Sequence, residues 1–229
     1  MGDLARIDFG ALVADAPVAS DDDIRAYEAR MQRETWRERL AGSGIDGLRE
    51  DDREAILGDR LHKTAALDYV QRWIAAAGRT REPGPNMLVV CGGMGLGKTV
   101  AAGWAISRHS GLYATVETYL RDFERWLRDR SREDGTANVL GRYKRAHLVV
   151  LDELGTEYDA ALMTRAFERL VDSRQSRRRE LTLMLGNLSK ADFVQRIRSG
   201  VYGARTYDRM RRDAVVVEVT GDSMRKGAW

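Results

Sequence analysis

The sequence predicts an α/β fold, a five-stranded parallel sheet with helices on both faces, and three observations point to it. From Ile45 onward short apolar runs alternate with stretches of helical character, and strands alternating with helices assemble into parallel sheets. The run Ala146-His-Leu-Val-Val-Leu151 reads as a strand buried on both faces. Met87 to Cys91 reads as another, and it passes directly through a glycine-rich loop into the alanine-rich, helix-like stretch Val100–Ile106.

Taken in order, residues 1–19 carry little pattern and read as flexible. Ser20 followed by three aspartates is a helix start, a capping side chain with acids in the first turn. Ile24, Tyr27, Met31 and Leu40, with Trp36 nearby, form a partial apolar stripe on that helix, which stops at Gly42-Ser-Gly44. Two readings stay open for the stripe: a helix packed on its own domain, or one that docks another protein. The expected division is a partner-docking segment over 1–41 and the α/β domain over 42–229. Within the latter a helix is expected over Lys63–Ala77, with Pro83 and Pro85 breaking the chain before the strand Met87–Cys91. Further strands are expected at Leu112–Val116, Ala146–Leu151, Leu181–Leu185 and Ala214–Thr220. Helices should follow the second strand through Trp126 and span Ala160–Asp172.

The chain has 229 residues, 43% hydrophobic and 32% charged, enough for one full α/β core and a soluble protein. No apolar run approaches the roughly 18 residues of a membrane span, and the first residues lack the basic and apolar regions of a signal peptide. The single cysteine, Cys91, falls in a buried strand, which suits packing in a reducing, cytoplasmic setting. A net charge of +3 with clustered arginines leaves room for a nucleic-acid surface, although arginine richness alone decides nothing.

Lys98 is one of only five lysines. It closes the pattern G-x-x-x-x-G-K-[ST] formed by Gly92, Gly97, Lys98 and Thr99, and the strand–loop–helix context makes this a phosphate-binding P-loop rather than a simple glycine turn. Glycines let backbone N–H groups turn inward around phosphates, and the following helix N-terminus adds its partial positive charge. Lysine brings a compact charge to the β- and γ-phosphates, and the threonine hydroxyl suits Mg²⁺. Gly92, Gly93, Met94, Gly95, Leu96, Gly97, Lys98, Thr99 and Val100 are therefore expected to bind the nucleotide, with Thr99 on the metal.

The strand 146–151 ends in Asp152-Glu153, two acids at the edge of a parallel sheet where ligands bind. Asp152 is expected to hold Mg²⁺ and Glu153 to orient or deprotonate the attacking water; the alternative is a pair of solvated strand caps. Asn187, at the end of the fourth strand, could reach a γ-phosphate or simply sit in a turn. Arg205 and Arg209 lie one helical turn apart on one face, either as a solvated basic helix or as a source of charge for phosphoryl transfer.

Together these elements resemble the AAA+ ATPases of the DnaC/DnaI helicase-loader and IstB transposition-helper group. The resemblance rests on CGGMGLGKT, LVVLDELGTE, the strand ending LGNLS, GARTYDRM and the closing GDSMR. It runs from about Ser43 to Arg225. It implies an AAA+ type sheet, with Asn187 as sensor I, Arg209 as an arginine finger reaching a neighbouring subunit's ATP, and Arg225 as the sensor II arginine. Arg205 matches another arginine of the GxRxxDR segment. Two features depart from the pattern: Gly186 replaces the usual Ser or Thr before Asn187, and four residues after Arg225 leave no room for a helical lid.

The function expected from this resemblance is a cytoplasmic ATPase using ATP and Mg²⁺, slow and stimulated by assembly or DNA. It would self-associate on single-stranded DNA through Arg209 in trans and deliver a hexameric replicative DNA helicase gripped by its N-terminal segment. The alternative is an IstB-like transposition helper acting on duplex DNA with a transposase. Two further rivals are a small-molecule phosphotransferase, against which Glu153 and the paired arginine elements argue, and a nucleotide-gated adaptor that scarcely hydrolyses ATP.

Overall fold

In the computed structural model, which describes residues 20–78, 84–129, 139–156, 159–175 and 180–224, the first helix is α1 (Asp21–Ala41). Ser20 Oγ accepts from the Asp23 amide at 3.2 Å and Asp23 Oδ2 accepts from the Ser20 amide at 3.1 Å, a reciprocal cap. Then come α2 (Glu50–Leu57), α3 (Ala65–Ala77) and β1 (Met87–Gly92). They are followed by α4 (Lys98–His109), β2 (Gly111–Thr115), α5 (Val116–Asp129) and α6 (Gly141–Arg145). The last part contains β3 (Leu148–Leu154), α7 (Ala160–Gln175), β4 (Leu181–Gly186), α8 (Lys190–Arg198), α9 (Ala204–Asp213) and β5 (Ala214–Val219). The flexible start read for residues 1–19 and the sensor arginine Arg225 lie outside the described residues.

All five strands are parallel, in the order β2-β3-β4-β1-β5. The alternation of β-strand side chains divides the core between the two faces. Leu88, Val90, Leu148, Val150, Leu183 and Leu185 pack against α3 and α4. Val89, Cys91, Val149, Leu151 and Met184 face the aromatic side chains of Phe123, Phe167, Phe193 and Tyr202. The thiol of Cys91 is fully buried, and burial pushes its pKa up to about 12, so it acts as a packing group.

The five expected strands are present with ends shifted by at most three residues. Helices α2, α6 and α8 were not read from the sequence; α6 and α8 are only five and nine residues long, too short for a clear periodic signal. The greatest change at a strand end is in β3, which continues through the two acids to Leu154, because Leu154 is fully buried and pairs with Gly186. Residues 220–224 after β5 contain no helix.

The stripe on α1 divides in two. Ile24, Tyr27 and Met31 are 47%, 56% and 42% exposed, whereas Leu40 is buried. The last turns are fastened to α4: Arg39 donates to the carbonyls of Ser107 and Arg108, and the Arg108 guanidinium stacks over the Trp36 ring at 3.4 Å. Beyond α1, Ser43 accepts from the Tyr113 amide at 2.8 Å, which ties this segment to the sheet edge.

At the amino-terminal edge of the sheet, Arg174 of α7 is completely buried. It donates to Thr182 Oγ1 and to the carbonyls of Tyr143, Ala146 and Leu181 at 2.6–3.0 Å. This satisfies a charge that would otherwise be costly to bury and joins α7 to the starts of β3 and β4.

Candidate nucleotide site

β1 delivers the glycine loop at the carboxyl edge of the sheet. Gly95 and Gly97 adopt φ of 78° and 77°, left-handed values that side-chain-bearing residues adopt only at a cost. This turn brings the chain back into α4 at Lys98. The Lys98 side chain is buried, and its ammonium donates to the carbonyls of Gly92 and Gly93 at 2.8 and 2.6 Å. The ammonium is thus held over the cradle formed by the loop.

Asp152 is buried beside the start of α4. Its Oδ2 accepts from Thr99 Oγ1 and from the Tyr113 hydroxyl, both at 2.9 Å, and its Oδ1 accepts from the Glu153 amide at 2.7 Å. Burial, followed by the neighbouring Asp152 charge, raises the Tyr113 pKa well above its usual value, so the phenol remains a donor.

A β-bulge separates the two acids. Leu151 pairs with Met184 and Leu154 with Gly186, so three steps on β3 match two on β4. Within the bulge Glu153 adopts φ of 65° and its side chain is exposed, while Asp152 turns into the fold. The Thr156 hydroxyl donates to the Glu153 carbonyl at 2.7 Å and helps hold the bend.

The loop after β4 bridges both motifs. The Asn187 amide donates to Leu154 O at 3.3 Å, and the Gly92 amide donates to Leu188 O at 3.0 Å. The Asn187 side chain is exposed at this edge. Gly186 has a steric reason here, since a Cβ at this position would lie 2.2 Å from Leu188 Cδ2 and 3.2 Å from Leu154 Cβ. A serine or threonine would displace the leucine that packs the bridging loop.

The structure therefore gathers residues 92–100, Asp152, Glu153 and Asn187 at one edge. It does not bring Arg209 there. Arg209 lies on α9, just before β5 enters beside Met87 at the opposite edge, and it is ion-paired with Asp172 of α7. Arg205, one turn earlier, is exposed.

Three neighbours of the glycine loop escaped the sequence reading. The Met224 amide donates to Gly95 O at 2.9 Å, Ser223 packs against Gly95, and Thr64 lies against Gly97. Tyr113 was also missed. Its only signal is its place on a strand, and its reach to Asp152 depends on β2 lying beside β3.

The site suits a magnesium nucleotide. Three glycines of the loop, Gly92, Gly95 and Gly97, have positive φ, and a Cβ at each would meet neighbouring atoms. The hydroxyl of Thr99 and the carboxylate of Asp152 are the hard oxygen donors that Mg²⁺ takes. Among the described residues no cluster of three or more His, Cys, Asp or Glu side chains could hold a metal. No described helix is long and apolar enough to cross a membrane.

Comparison with solved structures supports the architecture. The chain is similar to DnaI, with a TM-score of 0.51 and 21% identity over 80% of this chain and 94% of that one. Against the DnaC helicase loader the TM-score is 0.53, with 15% identity over 71% of this chain and 95% of that one. Against the replication initiator DnaA bound to AMPPCP and single-stranded DNA it is 0.52, with 18% identity over 71% and 48% of the two chains. No curated protein sequence matches. A family model described as IstB-like ATP binding protein matches residues 81–228, a span holding the glycine loop, both acids, Asn187 and Arg209. The chain belongs to the IstB-like ATP-binding family.

Proposed function

We propose that this ATP-binding protein hydrolyses ATP and uses ATP-dependent self-association on single-stranded DNA to help load a replicative helicase. The bulge at Asp152–Glu153 carries the hydrolytic part of the reading. It splits two adjacent acids, sending Asp152 inward to Thr99 and Glu153 outward to the edge where Asn187 is also exposed. Lys98 and the loop amides hold the phosphates, Thr99 and Asp152 hold Mg²⁺, Glu153 takes a proton from the attacking water, and Asn187 aligns it. Bound Mg²⁺ supplies charge neutralisation at the phosphates. Arg225 would act as the sensor arginine on the same nucleotide, and Arg209 would serve the neighbouring subunit.

The partner assignment is supported by α1, whose first four turns expose Ile24, Tyr27 and Met31 clear of the ATPase body. The DnaI and DnaC likenesses favour a helicase as the partner, and the DnaA complex with single-stranded DNA favours that form of DNA. The family match favours a second reading, a transposition helper that recruits a transposase on duplex DNA. A Glu153→Gln variant held with ATP separates the two. Incubated with extract of the native host, it should retain the hexameric replicative helicase and prefer single-stranded over duplex DNA. Retention of a transposase with preference for duplex DNA would overturn the loader reading.

A further inference from the structure

We propose that Tyr113 is a positioning residue for the metal ligand Asp152 and that its hydroxyl sets how tightly the site takes Mg²⁺. The inference rests on the magnesium–ATP reading above and adds a residue to it from a neighbouring strand.

Asp152 ends its run on β3 opposite Thr115 of β2, while Tyr113 pairs with Val150. Residues two apart on a strand share a face, so Tyr113 and Asp152 are diagonal cross-strand neighbours on the α4 side of the sheet. With parallel strands about 4.8 Å apart and a rise of about 3.3 Å per residue, such neighbours lie roughly 8 Å apart at the backbone, a gap that an aromatic side chain spans. The phenol closes it with a 2.9 Å hydrogen bond to Oδ2.

That bond changes the coordination available at Asp152. A carboxylate offers about four lone-pair sites. Thr99 and Tyr113 occupy Oδ2 and the Glu153 amide occupies Oδ1, leaving one position, on Oδ1. Without the phenol, only Thr99 would fix Oδ2, and the hydroxyl of Thr99 is itself expected to turn toward the metal. Of the two hydroxyl donors on Oδ2, Tyr113 is the one with no other task at the nucleotide. Its own backbone is fixed from outside by the 2.8 Å bond from its amide to Ser43 O, so the ring stands on a braced edge strand.

Tyr113→Phe keeps the ring and removes the hydroxyl. The measurement is the Mg²⁺ concentration that half-saturates its effect on binding of a fluorescent ATP analogue, alongside analogue affinity in excess chelator and the thermal midpoint. The variant should need about tenfold more Mg²⁺, with chelator-phase affinity and thermal midpoint unchanged. In an Asp152→Asn background the same substitution should shift the Mg²⁺ midpoint no further, because the two act as one unit. An unchanged midpoint in the single variant, or an equal shift in both backgrounds, overturns the proposal. So does a parallel fall in chelator-phase affinity and thermal midpoint, which would make Tyr113 a packing residue. If analogue binding by the unmodified protein ignores Mg²⁺, the magnesium–ATP reading fails as well.

Discussion

Arg209 of α9 is ion-paired with Asp172 of α7 in its own subunit, at the edge of the sheet away from the glycine loop. The two side chains are 26% and 43% exposed, and pairs this open to solvent contribute only about 0–1 kcal/mol. A pair this weak leaves the guanidinium able to exchange partners, as the proposed role of Arg209 in trans requires. An arginine supplied in this way is worth about 10³-fold or more in rate. Arg209→Ala should bind ATP nearly normally and hydrolyse it about 10³-fold more slowly. Mixed with Lys98→Ala, it should recover part of the lost activity, one variant donating the finger and the other an intact pocket. Activity per subunit should rise with protein concentration and with DNA. Rates independent of both, with nothing restored on mixing, would leave Arg209 a surface arginine.

Lys98→Ala should still fold, because of the two carbonyls it releases that of exposed Gly93 can turn to water and only that of Gly92, at the buried end of β1, loses its donor. Hydrogen bonds to charged groups contribute about 1.5–3 kcal/mol, so ATP affinity should fall roughly 10- to 100-fold. Equilibrium binding of labelled ATP measures this, and unchanged affinity would remove the loop from the nucleotide site.

Glu153→Gln should bind ATP and lose about 10²–10⁴-fold in turnover, the usual range for removing a general base. Glu153→Gly adds a second readout. A side chain in the left-handed region costs roughly 1–2 kcal/mol, so the glycine variant should be more stable by about 1 kcal/mol while equally inactive. Loss of stability with the glycine would mean that the exposed glutamate makes a contact the fold needs.

The anchoring of α1 fixes where it can be cut. A chain starting at Thr35 keeps Trp36, Arg39 and Leu40 on α4; it should bind ATP with an unchanged thermal midpoint yet lose helicase binding. A chain starting at Ser43 also removes the buried Leu40 and the stacked Trp36, and should unfold at a lower temperature. If the longer truncate still binds helicase, the exposed stripe is not the docking surface.

The reach of sequence reading followed the range of the interactions. The strand–loop–helix around Lys98 is local, so its form was legible from the glycine spacing and the flanking strand and helix patterns. Asp152 and Glu153 were found as a pair, but not the bulge that gives them opposite directions; this depends on Leu154 closing against Gly186. Tyr113 needed the strand order, and the Asp172–Arg209 pair needed α7 and α9 to be neighbours, neither of which periodicity along the chain encodes. The stripe on α1 could not be settled from spacing, since Leu40 at one end of the helix packs on the domain while Ile24, Tyr27 and Met31 at the other stay exposed.

The bond from the Met224 amide to Gly95 O lays the segment after β5 along the phosphate loop. The Met224 side chain is exposed there, so a group attached to it would stand at the nucleotide entrance without touching the two acids of β3. A single dye carried on the thiol of a Met224→Cys variant should therefore register ATP arriving and leaving, while a bulkier attachment at the same place should slow its entry.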